Sequence, residues 1–599
     1  MSEQKILNDL AIQIATVNGS GSQSANNILT KSIFRMGIPV NGKNLFPSNI
    51  SGLPTWFIIR ANLNGYTARK NEIDMLVAMN SETLLEDVKN LKSGGVVVYD
   101  SDFNMDDSYK RKDVIWYPIP FTTLARQNFK EIKLRKLLTN MMYVGVLSKL
   151  LGLDEKIVKE AISDNFKGKT KAVEANYNAF DVGANYFAEN LTKIDPYYCE
   201  KMNENNGKIM IDGNTAGALG TLFGGATFMA WYPITPASTF CEHLIEITKK
   251  YRIGDDGKIK FADVQAEDEL AAVGMIIGAG WAGARSVTAT SGPGISLMSE
   301  LVGFAYYTEI PTVIWNVQRV GPSTGLPTRT GQADILSTYS LSHGDTKQIM
   351  LFPSNIEDCF DFGKTSLDLA ERFQTPVFVL TDLDLGMNTW MSKDFVYPET
   401  PCDRGKILTA EDLDRLGKFE RYRDVDGDGI PYRTLPGTNH KLGAYFTRGS
   451  GHDERAVYSE KPDVFMRNLD RINKKYETAK TYVPKPIVEL TEGAEIGLIA
   501  YGSTELAMKE VRDILEKEGV KTNYLLLKAI PFTEEVTEFL EKNKTVYIIE
   551  QNRDAQVRKV ILLEYDGKYS DKLKSVLYYG GWSIDAETIS NQILHTERN

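Results

Sequence analysis

Four short runs carry most of the chemistry this chain could do. Tyr232-Pro-Ile-Thr-Pro-Ala-Ser-Thr239 follows an apolar run that its two prolines stop sharply. Ser238 can cap the next helix, which leaves Thr235 in a rigid elbow at a strand's carboxyl end, where open α/β sheets bind ligands. About thirty residues later, Gln265-Ala-Glu-Asp-Glu-Leu-Ala-Ala272 runs acidic groups directly into a helix too apolar to face water. A carboxylate there is either a cap favoured by the helix dipole or a functional group in a dry interface, and spacing alone leaves both open. Thr288-Ala-Thr-Ser-Gly-Pro-Gly294 and Gln318-Arg-Val-Gly-Pro-Ser-Thr-Gly-Leu-Pro-Thr328 each end a further strand. Three strand ends thus converge on one edge, with hydroxyls, glycines and Arg319.

Other motifs carry less. Gly19-Ser-Gly21-Ser-Gln-Ser24 sits where a phosphate-gripping turn would, between a strand and a helix whose first amides could bind an anion. It departs from G-x-G-x-x-G at Ser24, and no acidic residue placed for a ribose follows about 20 residues on, which speaks against a nicotinamide dinucleotide. A tight βα turn, or a seat for a phosphate or CoA group, are the readings left. Gly427-Asp428-Gly429 follows the polar run Arg421–Asp426 and no strand, and no Asn stands roughly thirty residues on, so it does not match a Mg²⁺-diphosphate turn. Asp424, Asp426 and Asp428 resemble the start of a calcium loop, but its twelfth position is Leu435 where a bidentate Glu belongs, and a solvated acidic turn is expected. His243, His343, His440, His452 and His595 show no ligand spacing. Cys199, Cys241, Cys359 and Cys402 form no C-x-x-C pair, so this chain alone does not ligate an iron–sulfur cluster in the usual way.

The elements that must position these groups alternate. Strand Ala11–Val17 leads to a helix over Asn26–Met36, with further strands at Trp56–Ala61, Met75–Met79 and Val96–Tyr99 and helices at Glu82–Leu91, Lys133–Leu151 and Asp154–Phe166. The polar stretch Asn190–Gly207 reads as a linker. Alternation restarts with strand Ile209–Ile211, a helix from Ala216, strand Phe228–Trp231 and helix Ser238–Lys250, then strands Ser286–Thr290, Thr312–Asn316 and Thr375–Leu380. Residues from about 390 to 480 read as an irregular connector with one helix near Val464–Thr478. A third unit follows, with strands Ile496–Ala500, Asn523–Leu527 and Val546–Glu550 and a helix over Glu505–Lys517. The expected fold class is α/β, with parallel sheets covered on both faces. The domains run 1–195, 206–390, 391–483 (the connector) and 484–599.

Composition narrows the partners. The 599 residues are 42% hydrophobic and 25% charged with a net charge of −10, so disordered and coiled-coil readings fail and no polyanion-binding surface is expected. The longest weakly polar run, Ala271–Ala284, is shorter than the roughly 18 residues of a membrane span. The N-terminus lacks the basic start and apolar core of a signal peptide, and with sparse cysteine this points to the cytoplasm. Neither nucleic acid nor a membrane is an expected partner.

At these residues the sequence resembles the 2-oxoacid:ferredoxin oxidoreductases, specifically the α subunit of the 2-oxoglutarate type with a γ domain fused at its N-terminus. YPITP at 232–236, the EDE-L-AA run at 267–272, TATSGPG at 288–294, QR-x-GPSTGLPT at 318–328, GHDE at 451–454 and EQN at 550–552 fall in family order. The resemblance implies a γ-type domain at the N-terminus, a pyrimidine-binding domain for thiamine diphosphate from about residue 208, and a transketolase C-terminal-like tail. It also implies roles. Glu269, at the family's distance before Gly278-Ala279, would touch the pyrimidine N1′; Thr235 would lie against cofactor and substrate; Arg319 would pair with the substrate carboxylate; Ser291 would line the pocket.

The implied reaction is CoA-dependent oxidative decarboxylation of 2-oxoglutarate to succinyl-CoA, or the reverse carboxylation. Electrons would pass singly to a [4Fe-4S] cluster and on to ferredoxin. The cluster, and the G-D-G turn that holds Mg²⁺ and the diphosphate, would come from a β subunit, with the active site between chains and α alone inactive. Two alternatives stand beside this: the same chemistry on pyruvate or a branched-chain 2-oxo acid, and a scaffold subunit without chemistry of its own.

Overall fold

The computed structural model describes residues 5–47, 52–103, 105 and 110–598. Met1–Gln4, the head of the stretch read for a signal peptide, lie outside the described residues. The chain divides into two compact units: residues up to Ile211 with Asn388–Asp394 and Asp585–Glu587, and the remainder.

The first unit is built on a six-stranded sheet. Asp9–Val17, Ile73–Ala78, Leu91–Asp100 and Ile115–Ile119 run parallel, and Pro54–Asn62 and Val40–Leu45 extend the edge antiparallel. Several elements are not expected from the sequence, among them strand Ile115–Ile119 and helix Phe121–Asn128. Strand Val40–Leu45 is a polar run, and helix Thr170–Asn190 has a mixed pattern. That helix lies against Ile132–Leu151 through Gly145 and Gly183. A Cβ at Gly145 would fall 2.1 Å from the Phe180 carbonyl oxygen, and one at Gly183 would fall 2.1 Å from that of Met142. The stretch Asn190–Gly207 does not hang free: Asn205 Nδ2 donates to the carbonyls of Phe34 and Ile38, and Tyr197–Tyr198 pairs with Ile6–Leu7.

The second unit holds a seven-stranded sheet in the order Ala262–Gln265, Phe228–Trp231, Ser286–Thr290, Thr312–Gln318, Pro376–Asp382, Ile349–Leu351 and Ala529–Ile530, parallel except for the last. Alternate residues feed two cores, as a strand's period of two requires. Val313, Trp315 and Val317 face Phe240 and Leu244 on one side, and Ile314 faces Val273 and Val302 on the other. The expected opening strand of this sheet is not in it. Lys208–Ile211 pairs antiparallel with Trp390–Lys393 in the first unit, and helix Gly213–Phe223, capped by Asp212, follows it at once. A five-stranded sheet, Ile487–Glu489, Thr522–Leu527, Ile496–Tyr501, Thr545–Glu550 and Leu573–Leu577, shares its core with the larger one through Ile499, Leu525 and Ile548.

The connector is ordered by buried charge. Glu371 accepts from Arg285 at 2.7 Å and lies 2.6 Å from Arg404 Nε and 3.1 Å from Arg433 Nη2. Glu309 binds Arg471 in a fork at 2.9 Å per arm and Lys475 at 2.7 Å. Besides the expected helix, here Pro462–Ala479, the connector forms a short one over Ala410–Leu416. No described helix is long and apolar enough to cross a membrane.

Candidate active site

The strand ends lie side by side because their registers match: Trp231 pairs with Gln265, Thr290 with Asn316, and Gln318 with Asp382. All four loops that carry the predicted groups therefore leave from one carboxyl edge, the usual ligand edge of a parallel sheet.

The three acids after Gln265 separate by position. Asp268 is the N-cap of helix Glu269–Trp281 and accepts from the Ala271 amide at 2.7 Å, while Glu267 is exposed. Glu269, in the first turn, is only 6% exposed, and among the described residues no donor meets its carboxylate. The turn from strand Ser286–Thr290 into helix Gly292–Thr308 is shaped around it. A Cβ at Gly294 would lie 2.0 Å from Thr290 Oγ1, 2.8 Å from Glu269 Cγ and 3.1 Å from its Oε1.

Thr235 is half-buried and precedes a cis peptide bond to Pro236. Arg319 Nη1 donates to its carbonyl at 2.7 Å. The arginine is buried, which lowers its pKa below the ordinary value, while Asp334 and Glu269 act in the opposite sense. Ser291 is the N-cap of Gly292–Thr308 but makes no capping bond; its hydroxyl is fully buried and unpartnered. Thr290 Oγ1, Asn316 Oδ1 and Arg319 Nε are likewise buried without partners. Each such atom costs about 1–3 kcal/mol if left unmade. Four such atoms lie on one sheet edge, beside Glu269.

Two residues of this edge escape the sequence reading. Asn316 Nδ2 donates to Asp334 Oδ2 at 3.0 Å, and the Asp334 amide donates to Gln318 Oε1 at 3.1 Å. Their signals were a polar residue near the end of the apolar run TVIWN and an acid just past the glycine-rich loop.

An apolar surface adjoins the edge. Leu270, Met275 and Trp281 lie exposed on helix Glu269–Trp281, and Leu297 and Tyr232 lie exposed on neighbouring elements. Gly278 on the same helix faces open space, since a Cβ there would meet nothing within 4 Å.

Several other motifs serve the frame. Asp426 and Asp428 pair with Lys406 at 2.6 and 2.8 Å, and Asp424 accepts from the Gly427 and Asp428 amides. Gly429 lets helix Pro462–Ala479 close in, 2.4 Å from its Cβ position to the Lys475 amide. His452 of GHDE lies against the ring of Tyr422 at 4.1 Å, and burial lowers its pKa. Glu550 of EQN accepts from the Val557 and Arg558 amides at the head of helix Gln556–Glu564. Cys199, Cys241 and Cys359 are buried, and burial pushes their thiols up, that of Cys199 to about 12.

In the first unit, Gly19 and Gly21 both take left-handed backbone, and Gly21 caps helix Ser22–Arg35. A cavity of about 270 Å³ opens beside this loop, lined among others by Ser20, Thr122, Arg126, Arg135, Lys136 and Asn140. Ser20 Oγ is buried there without a partner, and its carbonyl accepts from Asn140 Nδ2.

Two family models match. Residues 11–186 match pyruvate ferredoxin/flavodoxin oxidoreductase, and residues 220–395 match the thiamine-diphosphate-binding region of pyruvate flavodoxin/ferredoxin oxidoreductase. The α subunit of 2-oxoacid:ferredoxin oxidoreductase 1 from Sulfurisphaera tokodaii is 30% identical over 95% of this chain and 94% of its own length. The 2-oxoglutarate synthase subunit KorA of Methanothermobacter thermautotrophicus is 34% identical over 57% of this chain and 87% of its own. Among solved structures, the 2-oxoglutarate:ferredoxin oxidoreductase of Magnetococcus marinus, solved with 2-oxoglutarate, coenzyme A and succinyl-CoA bound, matches with a TM-score of 0.88 at 30% identity, over 99% of this chain and 100% of that one. Its α/β sheets, the order of its strand-end motifs and the two likenesses that span nearly the whole chain together place it in the α-subunit family of the 2-oxoacid:ferredoxin oxidoreductases.

Proposed function

We propose that this chain is the α subunit of a cytoplasmic 2-oxoglutarate:ferredoxin oxidoreductase, catalysing CoA-dependent oxidative decarboxylation of 2-oxoglutarate to succinyl-CoA or the reverse carboxylation. The observation that carries this is Glu269: an acid only 6% exposed, with no hydrogen-bond donor on its carboxylate among the described residues, in the first turn of a helix on the sheet edge where Arg319 also lies.

In this reading residues 1–195 form the γ-type domain, 206–390 the pyrimidine-binding domain, 391–483 the connector and 484–599 the transketolase-like tail. Glu269 would hold N1′ of the pyrimidine and exchange a proton with it, which would favour the tautomer whose exocyclic nitrogen acts as base. Thiamine diphosphate, when bound, supplies the carbanion that adds to the 2-oxo carbon and the cationic ring that takes up the electrons CO₂ leaves behind. Arg319 is tied to Thr235 by one arm. It offers the remaining face of its fork to the substrate carboxylate, a task planar geometry suits. Thr235 borders cofactor and substrate, and Ser291 closes the wall.

A β subunit supplies what this chain does not. Asp428 is committed to Lys406, so the Gly427–Gly429 turn is no seat for Mg²⁺. The G-D-G diphosphate site and the [4Fe-4S] cluster that feeds ferredoxin belong to the partner, which covers the apolar face at Leu270, Met275 and Trp281. CoA binds with its phosphates in the cationic cavity beside Gly19–Ser24.

The test uses the assembled α/β enzyme and a low-potential acceptor. Reduction should be fastest with 2-oxoglutarate, and a preference for pyruvate or a branched-chain acid would overturn the substrate assignment. Glu269→Gln should lower turnover roughly a hundred- to ten-thousandfold, the range of general acid–base catalysis, with assembly intact. Unchanged turnover would leave the scaffold reading standing.

A further inference from the structure

The turn Ser291–Gly294 is flanked by two carboxylates, and the proposed function uses only one. Gly294 packs against Glu269, and Gly292 packs against Asp334: a Cβ at Gly292 would lie 3.0 Å from each of the Asp334 carboxylate oxygens. Both glycines of the motif are therefore explained by an acid pressed on the turn. Asp334 begins the short helix Ile335–Tyr339 but makes no capping bond with its side chain. Its carboxylate is turned to the strand end instead, where Asn316 Nδ2 holds Oδ2 at 3.0 Å. The residue as a whole is half-buried.

The Asp334 amide bonds to Gln318, the residue before Arg319, and Arg319 is the charged group that acts on the Asp334 carboxylate; Asn316, Gln318 and Gly292 beside it are neutral. The two make no direct ion pair among the described contacts. Arg319 is also acted on by Glu269, more weakly than by Asp334.

We infer that Asp334, held between the Ser291–Gly294 turn and the end of strand Thr312–Gln318, tunes the binding of the 2-oxo acid: when ionised, it competes with the incoming carboxylate for the Arg319 charge. The inference rests on the functional reading above. Desolvation in the recess raises the Asp334 pKa to about 6, with Asn316 and Arg319 holding it down from a higher value. Protonated, Asp334 still occupies the space beside Gly292 but no longer competes. The affinity for substrate should then fall as pH rises through that region.

The experiment is KM and kcat for 2-oxoglutarate from pH 5.5 to 8, in the assembled wild-type enzyme and in Asp334→Asn, which keeps the shape and an oxygen for Asn316 to meet. In wild type KM should rise about three- to tenfold across the range, the size of one charge acting over several ångströms in a partly solvated site. In Asp334→Asn it should stay near the low-pH value throughout, with kcat within about twofold. A wild-type KM that is flat with pH, or an Asn variant that follows the wild-type profile, overturns the inference. The wild-type arm decides even if the variant does not assemble. An enzyme active on a 2-oxo acid with either result leaves the function standing, whereas an assembled wild type with no thiamine-dependent turnover removes both.

Discussion

Arg319 and Thr235 hold each other across the site: the guanidinium Nη1 donates to the threonine's backbone carbonyl at 2.7 Å, joining the loops that leave strands Thr312–Gln318 and Phe228–Trp231. Half of a planar fork is thus anchored, which fixes the direction of the rest. Lysine has one nitrogen for both tasks. Arg319→Lys should therefore lower kcat/KM for the 2-oxo acid about tenfold to a hundredfold, as for a lost hydrogen bond to a charged group, chiefly through KM. Steady-state kinetics at saturating CoA would show it.

Gly294→Ala tests the fit of the turn to Glu269. The added methyl would meet Thr290 Oγ1 at 2.0 Å and Glu269 Cγ at 2.8 Å. Overpacking of this kind costs about 1–3 kcal/mol. Adding Thr290→Ala removes the closer clash and should recover part of the melting temperature. Turnover should stay low, because the contact on Glu269 persists.

Gly278→Ala probes the apolar face. In the isolated chain nothing opposes the methyl, and replacing a mid-helix glycine should stabilise by about 0.5–1 kcal/mol. In the complex the same methyl should weaken assembly with the β subunit. Thermal melts of α alone and titration of β into α read the two effects separately, and unchanged assembly would show that this face is not covered.

Glu309 predicts an acid limit. Burial alone would push its pKa up, but Arg471 and Lys475 outweigh that and hold it at about 2, below the ordinary 4.5. The sign follows from this depression: the stabilisation is present above about 4.5 and is lost as pH falls towards 2. Glu309→Gln would leave Arg471 and Lys475 buried without their acid, and should cost about 3–5 kcal/mol. Denaturant titration at pH 7 gives the magnitude. The variant should also lose the share of the acid-pH dependence of stability that Glu309 contributes.

Much of the frame was legible because strands buried on both faces are nearly continuous apolar runs. Phe228–Trp231, apolar throughout, was read with its observed ends; Ser286–Thr290 was too, although three of its five residues carry hydroxyls, and helix Glu505–Lys517 was equally plain from its strong amphipathic pattern. Val40–Leu45 was hidden, since an edge strand reading VNGKNL is specified by its neighbour's ladder and not by its own side chains. The same holds for Lys208–Ile211, whose partner Trp390–Lys393 is far away in sequence. In the site, Thr235, Ser291 and Arg319 drew attention because they sit in turns of unusual composition, whereas spacing left the three acids of the 267–269 run open and only the family resemblance singled out Glu269. Asp334 did not stand out, since what distinguishes it is the glycine it touches in another loop, 42 positions earlier.

The region between the two larger sheets of the second unit has the make-up of a tether, yet its arginines and lysines converge on Glu309 and Glu371 inside the protein. Its order is thereby written in ion pairs where most polypeptides use oil. Such pairing is directional and intolerant of a missing member, so evolutionary drift there should proceed by exchange of whole sets of residues and not one at a time.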